Sequence, residues 1–186
     1  MNASMLNVSP AVGFIPRLKS WAFASKLCNG TPFSIAAERP GMHTKGTFAP
    51  ETRADALERY EEVGPVAQVV VREATKAMSF DADEYDRRVT PEVIRTARDA
   101  TFAELLAVHV GSDAEFDAWL ADSEFDDGDV VRIGGDNVDN VVWHPIPFAD
   151  TVVAATFQEE PDAAVSTLRR NAFGRVYREE FYESGR

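Results

Sequence analysis

From Thr52 to Leu105 the apolar residues of this chain recur at helical spacing, and from Leu106 stretches of strand-like alternation appear. That change of period constrains the fold more than any other feature. A segment apolar every three to four residues buries a helix face, whereas one apolar every second residue buries a strand face. Thr52 followed by Asp55 resembles a capping box, and Ala56, Leu57 and Tyr60 then mark a helix that stops at Gly64-Pro65. A second helix is predicted from Pro65 to Met78, with Val66, Val69, Val70, Ala74 and Ala77 on its apolar face and Gln68, Arg72 and Lys76 opposite. Asp81 and Glu84 cap a short turn. Thr90-Pro91 then opens a third helix, with the stripe Val93, Ile94, Ala97, Thr101 and Leu105.

Beyond that point Leu106, Val108 and Val110 alternate as in a strand, and Ser112 to Glu115 is a capping box for a short helix turning Phe116, Trp119 and Leu120 inward. Asp126-Asp127-Gly128-Asp129 leads into a strand at Val130 to Ile133, and Gly134 to Asn137 is a further turn. Val141 to Phe148 and Thr151 to Phe157 are predicted to pair as an antiparallel hairpin. Pro145 and Pro147 lack an N–H for the ladder, so the first of these strands is an edge or ends there. Asp162 starts a closing helix that reaches about Tyr182. The expected class is α+β: N-terminal amphipathic helices, a small antiparallel sheet and a C-terminal helix.

The 186 residues carry 31 acids and 19 Lys or Arg, a net charge of −12, but the charge is unevenly spread. Residues 1–41 sum to +3, and residues 42–186 hold 30 acids against 15 bases, only Lys45 and Lys76 among them being lysines. Dense carboxylates with few lysine stems suit molar salt, where the Debye length falls to about 3 Å and like charges barely repel. Residues 1–41, with Pro10, Pro16, Pro32 and Pro40, lack this bias and lack the layout of a secretory, lipoprotein or twin-arginine signal. We read them as a disordered or non-native extension and expect translation to begin naturally at Met42. The working part is then a single domain over 42–186. No stretch is apolar for the length of a membrane span, so a cytoplasmic location is expected.

The strings Gly46-Thr47-Phe48-Ala49-Pro50, Trp143-His144 and Ala172-Phe173-Gly174-Arg175 resemble a family of small acidic haloarchaeal proteins of unknown function, over about residues 42–182. The resemblance implies a soluble cytoplasmic domain in a salt-loving cell and brings no catalytic motif.

Motifs that carry chemistry are absent. The chain has no G-x-S-x-G elbow, no phosphate-binding G-x-x-x-x-G-K-[ST] loop and no H-E-x-x-H. A calcium loop built on Gly128 would put Gly134 where a bidentate Glu is required. With one cysteine, disulfide frameworks and Cys-based zinc sites are excluded. No catalytic residue, metal ligand set or cofactor is assigned. Three groups of residues stand out instead. His109 and His144 lie in predicted strands and, with Arg169 in the middle of the last helix's packing face, form a candidate polar site. An arginine in that position needs a carboxylate, a carbonyl or a ligand. Trp143, Pro145, Ile146 and Phe148 are a candidate contact patch, and Arg170, Arg175 and Arg178 a candidate basic face. The leading reading is a non-enzymatic protein-interaction domain, self-associating or with a protein partner. The alternatives are a winged-helix nucleic-acid regulator and a small metal-binding or hydrolytic protein using the two histidines. The acid surplus disfavours nucleic acid.

Overall fold

A computed structural model describes residues 41–135 and 137–182; the expectation for residues 1–40 lies outside the described residues. The architecture is α+β, and most elements start where the sequence punctuates them. Helix α1 (Arg53–Glu62) begins at the Thr52–Asp55 capping box. Helix α1 ends before Gly64-Pro65 as expected, and that pair opens α2 (Gly64–Ala77), since proline is accommodated in a first turn. Helix α3 (Ala82–Arg88) is capped by Asp81 and α4 (Pro91–Leu105) by Thr90. Helix α5 (Asp113–Asp122) starts at the Ser112–Glu115 box. Helix α6 (Pro161–Ala172) runs through a π-helical turn at Phe173–Tyr177 into α7 (Arg178–Tyr182).

The strands β1 (His43–Lys45), β2 (Val108–Ser112), β3 (Val130–Ile133), β4 (Asn140–Ile146) and β5 (Thr151–Phe157) form one sheet in the order β1-β2-β4-β5-β3. The β4–β5 hairpin is antiparallel as expected, and so are β1–β2 and β2–β4. The sheet is nevertheless mixed, because β3 pairs parallel to β5. The loop 134–139 carries the chain past the end of β5, so β3 and β4 flank β5 instead of pairing with each other. Gly134, at φ +111°, makes that crossing possible: a Cβ there would lie 2.1 Å from Thr156 Oγ1. Strand β4 is central, not an edge. Its pairing with β2 ends at Trp143, so Pro145 is flanked only by β5, and Pro147 begins the turn between β4 and β5.

Alternation along the strands divides the core in two. Val108, Val110, Val142, Ile146 and Val153 face α1, α4 and α6, where Phe102 is ringed by Tyr60, Phe173, Tyr177 and Phe181. Val141, Trp143, Val152 and Ala154 face the other way, under Phe116 and Leu120 of α5. The second helix departs from expectation. Its buried row is Ala67, Val71 and Thr75, while Val66, Val69, Val70, Ala74 and Ala77 are exposed. This row, four residues apart, packs toward α4, and Val66, Val69 and Val70 are left outside. Likewise α4 buries Phe102 and Ala103, and its expected stripe is at most half-buried. No helix among the described residues is long and apolar enough to cross a membrane.

Candidate functional site

The two histidines do not meet. His109 is opposite Trp143 in the β2–β4 register, and opposed residues share a face, so His144 projects from the other side of the sheet. His144 is fully buried, with Nδ1 2.6 Å from Ala107 O and Nε2 2.8 Å from Tyr177 Oη. A carbonyl only accepts, so Nδ1 carries the proton and Nε2 accepts from the tyrosine. Burial lowers the His144 pKa to about 4, against a smaller opposing effect of the Ala107 bond, so the ring is neutral at pH 7. It ties β4 to the π-turn and to the α4–β2 junction. His109 is half-buried between Trp119 and Trp143, at ring distances of 6.1 and 5.4 Å, and Thr44 Oγ1 is 3.0 Å from its Nδ1. Burial lowers its pKa as well. Trp143 Nε1, beside it, is buried without a hydrogen-bond partner among the described residues. Those residues hold no group of three or more His, Cys, Asp or Glu placed for a metal ion.

Arg169 is buried, and its donors are taken up from inside the fold. Nε donates to Leu106 O at 3.0 Å, Nη1 to Glu104 Oε2 at 2.9 Å and Nη2 to Lys45 O at 3.3 Å. One guanidinium therefore pins the end of β1 and the end of α4 to α6. Gly46 makes room for it: at φ +98°, a Cβ would stand 2.3 Å from Leu106 O and 2.6 Å from Arg169 Nη2. Phe48 follows, edge-on to Phe102, which in turn meets Phe173. The strings around Gly46, His144 and Phe173 thus converge on one region of the core.

The proposed patch of Trp143, Pro145, Ile146 and Phe148 is not a surface. Trp143 and Ile146 are fully buried, and Pro145 and Phe148 are half-buried. Central β4 is covered on both faces, by α5 over Trp143 and by the α6 layer over Ile146, and Phe148 packs on Tyr177 at 5.8 Å. Among the described residues the large exposed apolar side chains are elsewhere: Val66, Val69, Val70 and Met78 from the α2 region, with Val93 of α4.

The basic face divides. Arg170 and Arg178 line a cleft of ≈ 440 Å³ between α4 and the C-terminal helix, together with Arg95, whereas Arg175 is exposed outside it. The π-turn accounts for the pairing. A straight α-helix advances about 100° per residue and would leave Arg178 about 80° around the axis from Arg170. The extra residue taken up by the π-turn, marked by the Arg178 N–H bond to Phe173 O, reduces the offset to about 20°. One wall is a hydrogen-bonded triad: Asp99 Oδ1 accepts from Tyr60 Oη at 2.7 Å and from Tyr182 Oη at 2.5 Å. Burial and these bonds raise both tyrosine pKa values. The sequence signalled this site only through the helical Gly174 and the arginine cluster; the triad joins residues 39 and 83 apart and leaves no local trace.

A family described as a family of unknown function (DUF5809) matches residues 47–178. No curated protein and no solved structure matches the chain.

Proposed function

The chain belongs to the DUF5809 family of unknown function, and we propose that it acts without catalysis, as a protein-contact domain that pairs with a second copy of itself through α2. The observation that carries this is the outward stripe of Val66, Val69 and Val70, each more than half exposed on a helix whose opposite face is already packed. Withdrawing the remaining surface of one such valine from water is favourable by about 1 kcal/mol. Ala74 and Ala77 extend the stripe. Its charges suit self-pairing. Glu73 sits within the stripe beside Lys76, at 2.7 Å, and Arg72 lies exposed on the rim. Two α2 helices packed antiparallel about a two-fold axis near Val70 and Glu73 set each Val70 against Glu73 of the other copy, whose charge stays matched by its own Lys76, the isologous arrangement a homodimer requires.

On the same reading, residues 42–186 are the working domain, in the cytoplasm of a cell with molar salt, and the acid surplus is an adaptation to that solvent. Sedimentation velocity of the full chain over a concentration series tests the pairing. The expected result is a dimer that Val70→Asp converts to a monomer with an unchanged circular-dichroism spectrum, Val70 being exposed. A monomer at millimolar concentration, or a Val70→Asp chain that still dimerises, overturns it.

A further inference from the structure

We infer that the cleft between α4 and the C-terminal helix binds a small organic anion, its carboxylate or phosphate head between Arg170 and Arg178 and its apolar body against Ala100, Ala103 and Phe173. At ≈ 440 Å³ the cleft has the size of a small-molecule site. Its arginines are out of keeping with their surroundings. Residues 42–186 hold 30 acids for 15 bases, yet neither Arg170 nor Arg178 has a carboxylate partner among the described residues. Arg170 reaches only Thr167 Oγ1, at 3.4 Å, and the Arg178 guanidinium lies 5.9 Å from the Phe173 ring centroid. Both keep donors for a planar or tetrahedral anion, which guanidinium groups grip through paired N–H bonds.

The two carboxylates of the lining are already engaged. Glu92 is paired with Arg95, and Asp99 accepts from Tyr60 and Tyr182. Neither therefore occupies the two free arginines. The π-turn that aligns them interrupts regular α-helical hydrogen bonding, a departure often found at functional sites. Ala100, exposed on α4, leaves the space that an apolar body would fill. The site is separate from the α2 stripe and stands whether or not the chain dimerises.

Amide chemical shifts of the ¹⁵N-labelled full chain, at the lowest salt concentration at which its amide spectrum is that of the folded chain, titrated with phenyl phosphate, 3-phenylpropionate, inorganic phosphate and benzyl alcohol, test the site. The expected result is saturable shifts within residues 95–103 and 170–182 for at least one aryl anion, with affinity about tenfold or more above that of inorganic phosphate and no saturation by the alcohol. The stronger of the two aryl anions identifies the head group. Arg178→Ala removes a charge and Ala100→Phe fills the cleft, each at an exposed position, and each is expected to weaken that binding about tenfold. The proposal is overturned if neither aryl anion saturates, if inorganic phosphate binds equally well, if the shifts fall elsewhere, or if both variants bind like the parent.

Discussion

Protonating His144 would place a charge in the buried interior and would reverse its bond to Tyr177, since Nε2 accepts from the phenol when neutral and can only donate to it when protonated. With a folded pKa of about 4 against an ordinary 6.5, the unfolded chain takes up this proton first as pH falls. Stability therefore declines from about pH 6.5 down to about pH 4, by about 3 kcal/mol in all, and levels off once the folded ring is also protonated. Urea midpoints at neutral pH and near pH 4.5 should show the decline in the parent chain and a shallower one in His144→Gln. His109, shifted in the same direction by burial, leaves a residual slope in the variant. A parent chain equally stable at both pH values would refute the assignment. For Arg169 the sequence exposed the problem but not its solution. An arginine on a packing face had to be satisfied, yet its partners lie 63, 65 and 124 residues away, beyond the reach of local patterning.

Elements were legible where local chemistry sets them. The capping residues Thr52, Asp81, Thr90 and Ser112 all start helices, and the β4–β5 hairpin forms at its turn. What escaped was the outcome of competition between elements. Hydropathy marks Val66, Val69 and Val70 as the inner face of α2, but the row Ala67, Val71 and Thr75 takes that place against α4. The parallel β3–β5 pair was equally hidden, because strand spacing alone does not say which neighbour a strand chooses. Glycine inside a helix costs about 1 kcal/mol relative to alanine, so Gly174 predicts a kink or close packing; it lies in the π-turn, with nothing within 4 Å of where a Cβ would be. With no steric demand for glycine, Gly174→Ala should raise stability by about 0.5–1 kcal/mol through the unfolded chain's lost freedom. Guanidinium denaturation measures this, and a destabilised variant would mean that the bare backbone there serves another purpose.

Over the whole molecule, the charge of −12 combines +3 in residues 1–41 with −15 in the rest. At low salt the acidic part repels itself, and salt relieves this as the Debye length shortens from about 10 Å at 0.1 M to about 3 Å at 1 M. Thermal melts should accordingly rise in midpoint between about 0.1 M and 3 M KCl. Equal midpoints would sink the salt-adaptation reading. The candidate site was only partly legible at this scale. Composition singled out Arg170 and Arg178 as a basic concentration in an acidic chain, while their meeting with Arg95 depends on how the last helix is laid across α4.

Arg169 binds the carbonyl of Lys45, 124 residues earlier, and the same C-terminal stretch supplies Phe173 and Tyr177 to the rings around Phe102. On a ribosome adding about 5–20 residues per second, β1 leaves the tunnel roughly ten seconds before its fastening does. During that interval Phe102 lacks the rings of Phe173, Tyr177 and Phe181 that cover it in the finished domain. Completion of this half-core therefore waits on the synthesis of α6 and the π-turn, and a chain cut short before α6 lacks both Arg169 and the rings of Phe173 and Tyr177.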